Sequence, residues 1–128
     1  RKTALSVSGR QLVAVWEKAT AEYVNVNGAK RRICLVPLQE EEQVKVHYAP
    51  TAGAKLGRNY AGFAVRSRAI SRNHAELSMS CGRAVIRDVG SQSGTFVNGL
   101  RLAPAGELSG PMELADGDVV QLGVDVGA

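Results

Sequence analysis

Apolar and polar positions alternate along most of this chain, with a period of two that predicts strands. The clearest runs are Val44-Lys45-Val46-His47-Tyr48, His74-Ala75-Glu76-Leu77-Ser78-Met79 and Ala84-Val85-Ile86-Arg87-Asp88-Val89, with shorter ones at Lys55-Leu56, Thr95-Phe96-Val97, Leu114 and Val119–Gly123. Asn27-Gly28 joins Tyr23–Val26 to Ile33–Val36, and Asn98-Gly99 joins Thr95–Val97 to Leu100–Leu102. Asn-Gly between β-rich runs is a strong hairpin signal, because a type I′ turn needs positive φ at both central residues. Residues 1–21 read less clearly. Leu12, Val15, Trp16, Ala19 and Tyr23 recur at helical spacing and favour one amphipathic helix, while Leu12–Trp16 is also a continuous apolar run that reads as a strand. About nine or ten short strands, with turns every 8–12 residues, predict an all-β antiparallel β-sandwich with a short N-terminal helix.

Composition narrows the function classes. At 128 residues, with 45% hydrophobic and 22% charged positions, the chain has enough apolar residues for a core of its own. The net charge of +4 is unevenly spread. No Asp or Glu occurs from Gln43 to Ala75, whereas Lys45, Lys55, Arg58, Arg66, Arg68 and Arg72 all fall there. A basic stretch of this kind suits an acidic partner. Nucleic acid fits poorly, because neither a recognition-helix pattern nor an aromatic base-stacking signature accompanies the charge. Cys34 and Cys81, with His47 and His74, lack zinc-ligand spacing, so no metal or cofactor is expected. Two cysteines inside apolar runs suit a reducing, intracellular setting, cytoplasmic or nuclear. No apolar run reaches the length of a membrane span, and no signal peptide is visible. Starting at Arg1, the sequence reads as a piece of a longer chain.

Three polar groups at the edges of the strands carry the candidate chemistry: Leu56-Gly57-Arg58-Asn59, Ser71-Arg72-Asn73-His74 and Ser91-Gln92-Ser93-Gly94-Thr95. Catalysis is disfavoured. The stretch Gly90–Gly94 has Gln92 where a nucleophile elbow needs its nucleophile, and Ser71 and His74 lack a nearby carboxylate. Anion binding fits better, with a planar fork of donors from Arg58, a hydroxyl from Ser71 and a second cation from Arg72. The Ser91–Thr95 loop suits contact with a peptide backbone, and Gly94 permits close approach. Between the first two groups, the run from Asn59 to Ile70 reads as a long exposed basic loop. Arg66 and Arg68 on it are expected to favour acidic residues in a ligand. Asn98 and Gly99 are accounted for by turn chemistry alone.

Gly57-Arg58, Ser71-Arg72-Asn73-His74 and Ser93-Gly94-Thr95-Phe96-Val97-Asn98-Gly99, in this order and spacing, resemble the signature of the forkhead-associated (FHA) domain over roughly Ile33 to Val126. The resemblance implies an eleven-stranded β-sandwich that binds phosphothreonine peptides through loops at one end, without catalysis. It assigns the phosphate to Arg58, Ser71 and Arg72, and the peptide backbone to Gln92 and Ser93, although Ser93 stands where the family commonly has Asn. Gly57, His74, Gly94, Thr95, Asn98 and Gly99 would support the site. The tail from Arg101 onward is similar to fungal FHA proteins, including FHA–RING ubiquitin ligases, and to SLMAP-like scaffolds. The family's last strand pairs with its first. The expected organisation is therefore an N-terminal extension, 1–31, and a sandwich, 32–128, that lacks this last strand, its open edge covered by the 23–36 hairpin. The alternative function is a structural or dimerising β-sandwich that recognises no phosphate.

Overall fold

Residues 10–18, 31–37, 46–47, 54–58, 70–80 and 82–123 are described by the structure, a computed structural model. The alternating runs become ten strands: β1 (Arg10–Lys18), β2 (Arg31–Pro37), β3 (Val46–His47), β4 (Ala54–Leu56), β5 (Ala75–Ser80), β6 (Arg83–Asp88), β7 (Thr95–Val97), β8 (Leu100–Arg101), β9 (Met112–Leu114) and β10 (Val119–Leu122). They form two antiparallel sheets, in the orders β3-β2-β1-β10-β7-β8 and β4-β5-β6-β9. Inward positions supply one core shared by both sheets, with Leu12, Ile33, Leu35, Val120 and Leu122 from the first and Leu56, Leu77, Ile86 and Leu114 from the second. Strand β6 shows the rule at work. Ala84 and Ile86 are buried, Arg83 and Arg87 are exposed, and the next inward position is the carboxylate of Asp88. The apolar layer ends there, and the polar end of the sandwich begins.

Residues 10–18 correct the helical reading. They form a strand, and no helix occurs among the described residues. The spacing of Leu12, Val15 and Trp16 fits a helix, but the pairing decides the matter. Strand β1 lies between β2, with Trp16 opposite Ile33, and β10, with Leu12 opposite Val120. Its backbone groups are satisfied on both sides, and Leu12 and Ala14 point inward. Residues expected in an extension thus stand inside the six-stranded sheet. The strand beside β10 is β1, while the proposed arm at 23–26 lies outside the described residues.

The Asn98-Gly99 hairpin forms as expected, with φ of 51° and 86° at its two central residues. Asn98 does more than turn the chain. Its Oδ1 accepts the Val119 N–H at 2.9 Å and its Nδ2 donates to Asp118 Oδ1 at 3.0 Å, which fastens the hairpin to the start of β10.

Candidate functional site

The loops after β4, before β5 and after β6 meet at one end of the sandwich, and His74 joins them. Its ring is fully buried. Nδ1 accepts the Ser71 N–H at 3.1 Å, so Nε2 carries the proton and donates to the Gly94 carbonyl at 2.7 Å. Its backbone N–H donates to Leu56 O and its carbonyl accepts the Val89 N–H. One residue therefore ties together the chain at 56, 71, 89 and 94. Burial holds the imidazole below its ordinary value of 6.5, against the opposing pull of the Gly94 carbonyl and the Asp88 carboxylate; the Arg101 charge adds to the lowering. The neutral ring is the form that makes both hydrogen bonds.

A second frame shapes the 88–94 loop. Asp88 Oδ1 accepts the N–H groups of Gly90 and Ser91 at 2.9 and 2.7 Å, and its Oδ2 accepts the Ser91 hydroxyl at 2.7 Å. Ser91 Oγ in turn accepts the Gly94 N–H at 3.1 Å. Gly94 has a φ of 99°, and a Cβ there would lie 2.8 Å from the Phe96 ring and 3.0 Å from Arg101 Nε. Glycine is required for both reasons. Sequence reasoning missed Asp88 and took Ser91 only as part of a polar group suited to peptide contact, without its bracing role. The signal was the carboxylate at the inward end of β6, two residues before Gly90 and three before Ser91, a spacing that suits an Asx turn.

Set on these two frames are the residues expected to bind. Arg58 donates its backbone N–H to Ser71 O at 3.1 Å, and Ser71 Oγ accepts the Gln92 N–H at 3.3 Å. Arg58, Ser71, Arg72, Gln92 and Ser93 thus lie on adjoining loops, with Arg72 and Gln92 exposed and Gly57 buried behind. Thr95 is buried at the start of β7, opposite Leu122, and its Oγ1 makes no hydrogen bond to any described residue. Asn98 and Gly99 stand at the other end of β7, away from Gly94. Arg66 and Arg68 lie outside the described residues.

The charges divide by location. On the faces of the sheets, Arg32 pairs with Glu17, Arg83 with Glu113 and Arg87 with Glu76. The guanidinium groups of Arg58 and Arg72 make no ion pair or side-chain hydrogen bond with any described residue. Two arginines with no carboxylate partner among the described residues thus lie on the same loops as the Ser71 hydroxyl, a set of groups chemically suited to an anion. Among the described residues, no group of three or more His, Cys, Asp or Glu side chains could hold a metal, and no helix is long and apolar enough to cross a membrane.

An all-β sandwich with these groups gathered at one loop end has the chemistry of a binding module more than of an enzyme. Comparison with known proteins gives the family. The FHA domain model matches residues 54–123, more than half of the sequence, and the chain belongs to the FHA family. FHA domains are protein-interaction modules that bind phosphorylated peptides and do not themselves catalyse reactions. The uncharacterized protein C3H7.13 of Schizosaccharomyces pombe is 38% identical over 105 residues, which is 73% of this chain and 35% of that protein. The probable E3 ubiquitin-protein ligase dma1 of the same yeast is 38% identical over 69 residues, covering 54% of this chain and 26% of the ligase. Human sarcolemmal membrane-associated protein is 35% identical over 97 residues, 70% of this chain and 11% of that protein. The chain thus spans about a third or less of the length of these relatives. The solution structure of the FHA domain of an Arabidopsis thaliana hypothetical protein superposes with a TM-score of 0.53 at 21% identity, covering 98% of this chain and 92% of that one, a likeness of fold.

Proposed function

We propose that this chain is a phosphothreonine-peptide binding module, in which Arg58, Ser71 and Arg72 hold the phosphate and Gln92 and Ser93 meet the peptide backbone. The observation that carries the reading is that Arg58 and Arg72, on the loops that hold Ser71, have no carboxylate partner among the described residues, whereas Arg32, Arg83 and Arg87 on the sheet faces each have one. A phosphothreonine brings about −1.5 to −2 charge and three acceptor oxygens. Each charge-assisted hydrogen bond to it contributes roughly 1.5–3 kcal/mol. The backbone of Ser71 is fixed by His74, and its Oγ already accepts from Gln92, so the hydroxyl hydrogen remains for the ligand.

The module runs at least from β1 to Gly123, because β1 completes the sheet that carries β7 and β10. Similarity to a ubiquitin ligase and to a membrane-associated protein supports a recruiting role inside the cell, in which this domain brings a phosphorylated partner to the rest of a longer chain.

The test is calorimetric titration with one peptide in phosphorylated and unphosphorylated threonine forms. Only the phosphorylated form should bind. Because the Arg58 side chain supports no other described residue, Arg58→Ala should leave the unfolding midpoint unchanged while weakening binding by about tenfold or more. Equal affinity for both peptides, or full phosphopeptide affinity in Arg58→Ala, would overturn the assignment.

A further inference from the structure

Arg101 is a third cation at this end of the sandwich. It is exposed on β8, directly across the hairpin from Phe96. Nε donates to Ala103 O at 2.7 Å and Nη2 donates to Gln92 O at 3.2 Å. The guanidinium carbon stands 5.9 Å from the centre of the Phe96 ring, within cation–π range. The missing side chain of Gly94 leaves room for it, since a Cβ there would come within 3.0 Å of Nε. Two carbonyls and an aromatic face thus fix a long flexible side chain, and no described carboxylate pairs with it. Nη1 makes no hydrogen bond to a described residue. Arg101 is an exposed residue, so this nitrogen is the donor left for a ligand.

Its position relative to the proposed phosphate residues follows from the bonds. Ser71 Oγ accepts the N–H of Gln92, and Arg101 grips the carbonyl of the same Gln92. The guanidinium therefore stands one residue's backbone beyond Ser71, a span that an extended peptide, at roughly 3.3 Å per residue, covers in about two or three residues.

We propose that Arg101 is a specificity-determining residue, a second anion-reading side chain that selects an acidic residue flanking the phosphothreonine in the ligand. This inference rests on the phosphopeptide reading above and adds to it which flanking chemistry is preferred. The guanidinium loses little conformational freedom on binding, because it is already held in place.

A panel of phosphothreonine peptides tests it, with Glu and Gln compared one position at a time on both sides of the phosphorylated residue. Wild-type protein should favour Glu by about fivefold at one or two positions a few residues from the phosphothreonine. Arg101→Gln should bring that ratio close to one, while Arg101→Lys should keep part of it, since charge remains but the fork is lost. The ratio is internal to each variant, so a general loss of loop order does not imitate the effect. Equal weakening of every peptide in Arg101→Gln, with the Glu preference kept, would show that Arg101 only braces the loop and would overturn the proposal. So would a wild-type protein that binds phosphopeptides without any acidic preference. Absence of phosphopeptide binding altogether would overturn this inference together with the reading beneath it, and so is told apart from failure of the specificity claim alone.

Discussion

Replacing His74 by alanine tests the idea that one buried ring holds the binding loops together. The substitution removes the acceptor of the Ser71 N–H, a part-buried donor, at a cost of about 1–3 kcal/mol. The Gly94 carbonyl suffers less, because it still accepts the Gly123 N–H at 2.8 Å. Deleting a fully buried side chain adds a cavity cost on the order of 2 kcal/mol. The sum, about 3–5 kcal/mol, should lower the urea midpoint by roughly 2 M at the slopes usual for small domains. Acid should act on the same contacts. Burial keeps the folded His74 below its unfolded value of 6.5, so the unfolded chain binds the extra proton first. The stability due to the neutral ring is complete above that value and is lost as pH falls below it toward the folded value. Subtracting the pH–stability curve of the variant from that of the wild type cancels the other titrating groups. The difference should decline as pH falls below about 6.5, whereas phosphopeptide affinity should fall only at still lower pH, once the folded ring takes its proton and Nδ1 can no longer accept from Ser71. A flat difference curve, or a midpoint shift corresponding to less than about 1 kcal/mol, would refute the reasoning.

Other expectations are open to direct measurement. Gly94→Ala should destabilise by about 2–4 kcal/mol in chemical unfolding, from its positive φ together with the contact forced on Phe96 and Arg101. Thr95→Val should be neutral or stabilising by up to about 1 kcal/mol and should keep phosphopeptide affinity, because the buried Oγ1 has no partner among the described residues to lose. A marked loss on that substitution would mean that the hydroxyl is bonded after all.

Much of this architecture is legible in the chain, for local reasons. Strand β6 declares its faces by strict alternation, and Asn98-Gly99 specifies its turn because few other pairs accept two positive φ values. The loop groups at 58, 71–74 and 91–95 are visible as polar residues at strand ends. The rest depends on partners distant in sequence. Leu12–Trp16 carries both a helical and a strand pattern, and only β2 and β10 on either side decide between them. Arg101 looks like any exposed strand residue until the hairpin register sets it over Phe96 and the fold brings Gln92 beside it. His74 shows the same limit: its identity is plain, but the four segments it joins become neighbours only after both sheets have formed.

The placement of β1 also bears on how this domain comes into being during synthesis. Gln11 and Gln121 bond through their side chains across a sequence separation of 110 residues, and Arg10 lies opposite Leu122. The middle of the larger sheet therefore stays open until nearly the whole described chain has been made, and contacts of such range make folding slow. The last described link, from the Gly123 N–H to the Gly94 carbonyl, closes on the same oxygen that receives the His74 proton. A nascent chain that has not yet delivered residues 119–123 already holds Arg58, Ser71 and Arg72, the residues proposed to meet a phosphate, yet it lacks the strand that sets their loops. Competence to bind should then appear abruptly, as the final strand docks, and not by degrees as the loops emerge.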